Sequence, residues 1–105
     1  MKHMLPAELR ARMVAGEKLQ LVDVREPWEF KTASIGGSVS IPMGEVASRV
    51  AEINNEADIV VICHHGARSM QVAALLEREG FSRVHNLTGG VDAWARTIDP
   101  SMPTY

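Results

Sequence analysis

The chain has 105 residues, 46% hydrophobic and 23% charged, with a formal net charge of −2 at pH 7, a balance that suits one packed core and excludes the basic footprint of a nucleic-acid binder. No apolar run is longer than Ile59 to Cys63, far short of the ~20 residues that span a bilayer. Lys2, Glu8, Arg10, Arg12 and Glu17 interrupt the amino-terminal stretch where a signal peptide needs an apolar block, so a cytoplasmic protein with no membrane partner is expected.

Pro6 near a first helical position and Glu8 in the first turn predict a helix start, continued by Leu9, Met13 and Val14 and ended by Gly16. Leu19 to Val24 reads as a strand, and Arg25 to Phe30 as a short helix with Pro27 in its first turn. Gly36-Gly37 breaks the chain, and Val39 to Ile41 is a short extended piece ended by Pro42. Val46, Val50 and Ile53 recur at helical spacing and predict a helix closed by Asn54-Asn55. Ile59 to Ile62 is continuously apolar and β-branched, the pattern of a central parallel strand covered on both faces. Ser69 to Glu79 predicts a helix with Val72, Leu75 and Leu76 inward and Gly80 as its stop. A short strand around Val84 and a last helix from Val91 to about Arg96 follow, and a tail from about residue 98, with Pro100 and Pro103, cannot continue that helix. Trp28 and Trp94 are expected in the core, and His3 and His85 at the surface or in packing. The alternation of helix and strand predicts one α/β domain over residues 1–105, with a mainly parallel sheet flanked by helices.

The chemistry concentrates in Cys63-His64-His65-Gly66-Ala67-Arg68-Ser69, which links the buried strand to the helix. Ligands of open α/β sheets bind at the carboxyl ends of strands, and a helix N-terminus offers unpaired N–H groups and the positive end of its dipole. A cysteine at the base of such an anion cradle is expected to give up its proton more readily than a free thiol and to act as a nucleophile. Gly66 permits a turn with positive φ. Arg68 brings a fixed charge able to fork onto an oxyanion or onto loop carbonyls. His64 and His65 add charge only when protonated, and Ser69 reads as a cap or early-helix residue. Cys63 is the only cysteine, so no intrachain disulfide exists and a free thiol has to be explained. A lone cysteine at a strand end is commonly a small buried hydrophobe; the glycine, the arginine and the strand-loop-helix context favour the nucleophile. The His64-His65 pair suggests metal, but adjacent side chains are expected to diverge and no second ligand pair stands in the sequence. No metal and no cofactor are therefore expected.

Three segments together resemble the rhodanese family over essentially the whole chain: Leu21 to Phe30, the loop Cys63 to Ser69, and Asn86-Leu87-Thr88-Gly89-Gly90-Val91-Asp92-Ala93-Trp94. The resemblance implies a three-layer rhodanese-like fold. It also implies a sulfurtransferase in which Cys63 takes sulfane sulfur from a donor such as thiosulfate, holds it as a persulfide and passes it to cyanide or a thiol. His64, His65, Gly66, Ala67, Arg68 and Ser69 would form the substrate-binding loop. Asp23 and Arg25 would lie near that loop and support it through charge-assisted hydrogen bonds. The partners so implied are a small sulfur donor, a thiol or cyanide acceptor and a sulfur-accepting protein. The chain departs from the family pattern at Thr32 to Ser38, which lacks a glycine-histidine pair, and at His64 and His65, where a Lys or Arg is common.

Two rivals differ in kind. A cysteine phosphatase or arsenate reductase of the C-x5-R type places five residues between cysteine and arginine, whereas four separate Cys63 from Arg68. A sulfur-relay or non-catalytic binding module of the same fold would act on a protein partner instead of on small donors.

Overall fold

The computed structural model describes residues 1–105. Strands β1 (Lys2–Met4), β2 (Leu19–Asp23), β3 (Val39–Ser40), β4 (Asp58–Ile62) and β5 (Val84–Leu87) form one parallel sheet in the order β1-β5-β4-β2-β3. Helices α1 (Pro6–Val14), α2 (Pro27–Thr32), α3 (Ala67–Arg78) and α4 (Gly90–Thr97) alternate with them, giving the expected α/β architecture. β4 lies at the centre, and Ile59 to Ile62 are all fully buried, which is why that run carries no polar alternation. Its side chains separate two cores. Ile59, Val61 and Cys63 pack with Val72, Ala73 and Leu76 of α3, while Val60 and Ile62 pack with Leu9 of α1 and Val91 and Trp94 of α4. Leu76→Ala in the first of these cores should cost about 2–5 kcal/mol.

Several boundaries differ from the sequence reading for identifiable reasons. α3 opens at Ala67 instead of Ser69, because Gly66 at φ 106° turns the chain straight into the helix. α2 starts at Pro27, where Glu26 and Glu29 close a reciprocal capping box, two residues later than expected. The helix predicted from Val46 to Ile53 is instead two 3-10 segments, Met43–Glu45 and Ala47–Glu52. Arg49 leaves helical geometry there (φ −118°, ψ 17°) with its guanidinium braced between Glu45 and Glu52, and Ser48 Oγ bonds back to the Glu45 carbonyl. Val46 and Ile53 still enter the core, so the apolar spacing was real while the helix type was not. β1 was not anticipated. Its three residues pair with β5, and only Met4 is buried, too short a run to show alternation. Trp94 is buried as expected, but Trp28 is 60% exposed. It sits early in the six-residue α2, whose one buried residue is Glu29, and its ring meets Tyr105 edge-on at 5.7 Å.

Candidate active site

The loop from Cys63 to Gly66 leaves the carboxyl end of β4 and enters α3 at the middle of the sheet. Two contacts from α4 hold it. Val91 N–H donates to the Cys63 carbonyl at 2.8 Å, and Asp92 N–H donates to the His64 carbonyl at 3.0 Å. The orphan amides of the α4 N-terminus are thereby satisfied by the loop. This close approach explains the Gly89-Gly90 pair: Gly90 has φ 61°, and a Cβ there would overlap the carbonyls of both Cys63 and His64.

With its carbonyls turned toward α4, the loop points an amide inward. Gly66 N–H donates to Cys63 Sγ at 2.9 Å, and Ser69 Oγ lies 3.3 Å from the same sulfur. Cys63 is 1% exposed and Ser69 is fully buried. Ser69 Oγ also faces the Gly66 carbonyl at 3.1 Å and is hydrogen-bonded to Asn86 Oδ1 from β5. The first amides of α3 have no carbonyl partner inside the helix, the general property of a helix N-terminus. The structure thus brings Gly66 and Ser69 to the Cys63 sulfur, with Asn86 behind Ser69 as a partner that nothing in its sequence position signals.

Arg68 is placed differently from the expectation. Its guanidinium forks onto Glu29, Nη1 to Oε1 at 2.8 Å and Nη2 to Oε2 at 2.9 Å, instead of onto loop carbonyls or an open anion site. Glu29 is 4% exposed. Its carboxyl is lowered to about 2, chiefly by the Arg68 hydrogen bonds against the opposing effect of burial, with help from the Glu26 amide and the Tyr105 hydroxyl. A carboxylate so held is an anchor and not a proton donor.

Asp23 and Arg25 also bond elsewhere than expected. They form a buried ion pair, with Arg25 Nη2 to Asp23 Oδ2 at 2.6 Å, and make no direct hydrogen bond to the Cys63–Ser69 loop. Arg25 donates further to the Ala33 carbonyl and to Tyr105 Oη, each at 2.6 Å. Tyr105 in turn donates to Glu29 Oε2 at 2.8 Å. The pair therefore reaches the loop by relay through the exposed Tyr105, the buried Glu29 and the partly exposed Arg68, a chain of charge-assisted bonds. Tyr105 also stacks on His64, centroids 4.1 Å apart and planes at 7°. Nothing in the tail's composition signalled this return; Glu29 did carry a signal, the E-x-x-E capping pattern.

His64 and His65 do not diverge: their ring centroids lie 4.0 Å apart. With Asp92 they bring three ligand-type atoms within 4.8 Å of one another, although Arg96 already holds Asp92 Oδ2 at 3.0 Å. Burial and the neighbouring His65 disfavour a proton on His64, so at neutral pH it adds little positive charge to the site. His3 lines a groove of about 380 Å³ beside the loop, together with His65, Gly66, Ala67, Met70, Asn86, Thr88 and Gly89. His85 is buried at the other end of the sheet, 3.1 Å from Asp58.

No helix is long and apolar enough to cross a membrane. The family model for the rhodanese-like domain matches residues 5–97. A chloroplastic rhodanese-like/PpiC domain-containing protein of Arabidopsis thaliana is 42% identical over 93% of this chain, which spans 35% of that protein's length. A thiosulfate sulfurtransferase GlpE of Pseudomonas aeruginosa is 37% identical over 88% of this chain and 83% of its own length. The crystal structure of a rhodanese-like domain protein from Staphylococcus aureus superposes with a TM-score of 0.86 at 28% identity, covering 100% of this chain and 99% of that one. The chain belongs to the rhodanese-like family, whose members include sulfurtransferases of this size and fold.

Proposed function

We propose that this chain is a sulfurtransferase that moves sulfane sulfur from thiosulfate or a similar donor to a thiophilic acceptor through a persulfide on Cys63. The observation that carries this reading is the buried Sγ at the mouth of α3, with the Gly66 amide 2.9 Å away and Ser69 Oγ at 3.3 Å. The Gly66 amide donates to this sulfur and the Ser69 hydroxyl lies within reach of it, groups suited to stabilising the charge that sulfur transfer places there.

In the first half-reaction Cys63 loses its proton to solvent and the thiolate attacks the outer sulfur of thiosulfate. The new bond joins Sγ to that sulfur, the S–S bond of thiosulfate breaks, and its electron pair leaves with sulfite. In the second, cyanide or a thiolate attacks the terminal sulfur and the thiolate of Cys63 is regenerated. No second cysteine exists in the chain to resolve the persulfide, so the acceptor comes from outside. Arg68 contributes by bracing α3 against α2 through Glu29, and sulfite is stabilised by loop amides. The same fork speaks against a phosphatase, which needs its guanidinium free for the phosphoryl oxygens.

Initial rates of thiocyanate formation at varied thiosulfate and cyanide should give the parallel double-reciprocal lines of a ping-pong scheme, and Cys63→Ser should form none. Turnover by Cys63→Ser would overturn the mechanism. A persulfide that forms but is released only to a protein thiol would make the chain a relay module.

A further inference from the structure

We propose that Asn86 is a positioning residue for sulfur transfer, its side-chain amide setting which way the Ser69 hydroxyl aims its proton at the Cys63 sulfur. The proposal rests on the reading of Cys63 given above. Ser69 Oγ has three polar neighbours: Cys63 Sγ at 3.3 Å, the Gly66 carbonyl at 3.1 Å, and the amide of Asn86. A hydroxyl brings one proton and two lone pairs to such a site. While Cys63 is a thiol, its S–H donates to Oγ and the Ser69 proton goes to an oxygen acceptor, so every group is matched.

Once Cys63 is a thiolate or a persulfide, the sulfur only accepts. Ser69 must then aim its proton at the sulfur, leaving the oxygen's lone pairs facing Gly66 O and Asn86 Oδ1, two further acceptors. The carbonyl cannot become a donor. The amide can, because turning it over presents Nδ2–H to Ser69 Oγ. The Asn86 amide nitrogen now stands on the Gly66 side, 3.8 Å from where a Cβ of that residue would lie. The thiol proton leaves to solvent, while Ser69 and Asn86 keep their protons and re-aim them. Asn86 is 3% exposed on β5 and its side-chain amide is bonded through Oδ1 to Ser69 alone, so no second hydrogen bond fixes which way the amide faces.

The test compares Asn86→Asp with Asn86→Leu. Aspartate matches asparagine in shape but, as a carboxylate, offers acceptors only; leucine offers neither. The readout is the rate of Cys63 alkylation by iodoacetamide across pH, which needs no sulfur donor. Losing a charge-assisted donor chain predicts that Asn86→Asp slows alkylation roughly tenfold at neutral pH and moves its pH profile upward, with a smaller slowing for Asn86→Leu. Should the two variants rank the other way, or both match the native profile, the proposal fails, since a merely structural role favours the better shape match. Thermal melts establish that each variant is folded. If Asn86→Asp does not fold, the decision passes to Ser69→Ala with and without Asn86→Leu. The proposal predicts no added effect of Asn86→Leu once the hydroxyl is gone; an undiminished effect overturns it. Failure of the native protein to form a persulfide, with the alkylation ranking intact, would fault the sulfur-transfer reading and leave the coupling of Asn86 to Cys63 in place.

Discussion

The two ends of the parallel sheet carry the same kinds of charged residue in different surroundings. At the amino ends of the strands, Asp58 meets Arg12 at 3.0 Å and His85 at 3.1 Å beside a cavity of about 320 Å³ open to water. At the carboxyl ends, Asp23 and Arg25 pair with essentially no exposure and continue through Tyr105, Glu29 and Arg68 toward the Cys63 loop. A screened pair can be lost at little cost. A desolvated pair cannot lose one partner without leaving a buried charge. The end of the sheet that holds the candidate thiol is therefore the one where charge is locked in place, and the lock serves the loop.

The largest expected effect sharpens that contrast. Arg25→Ala strands Asp23 without solvent and should cost about 3–5 kcal/mol in urea unfolding, whereas Asp58→Asn at the opposite end should cost under about 1 kcal/mol. Equal losses would erase the difference between the two ends. Next comes Glu29→Gln, which removes the Arg68 fork and should cost about 1–3 kcal/mol. It also changes the acid limb. The Glu29 carboxyl is about 2 in the folded chain against an ordinary 4.5, so its stabilisation is complete above about pH 4.5 and is lost as pH falls toward 2. Denaturation curves between those pH values should flatten in Glu29→Gln; unchanged curvature would mean that the carboxylate does not carry the acid sensitivity. Smaller again is Tyr105→Phe, which deletes one hydroxyl between Arg25 and Glu29 but keeps the stack on His64. About 0.5–1.5 kcal/mol is expected, and a neutral result would make the stack, not the hydroxyl, the tail's attachment.

Much of the frame was legible because β4 and α3 write their burial directly into sequence. Ile59 to Ile62 has no polar member, and Val72 and Leu76 repeat at helical spacing. The loop was legible because strand, glycine, arginine and helix follow one another without a gap. What stayed hidden depends on contacts distant along the chain. Glu29 meets Arg68 across 39 positions, and Tyr105 meets Arg25 across 80. Asn86 looked like the start of a glycine-rich segment and proved to face Ser69. For Arg68 the sequence offers an oxyanion or loop carbonyls as partners, because its carboxylate partner Glu29 lies on another element. The His64 ring meets both the His65 ring and Tyr105, and the second of these contacts spans the chain from loop to tail, which adjacent positions alone do not announce.

The most direct test of the central claim is the intact mass of the reduced protein after incubation with thiosulfate. A gain of about 32 Da is predicted, removed by cyanide and absent in Cys63→Ser. An unchanged mass with thiosulfate and with other sulfane donors, on a folded protein whose Cys63 remains alkylatable, would contradict the assignment of Cys63 as the sulfur carrier.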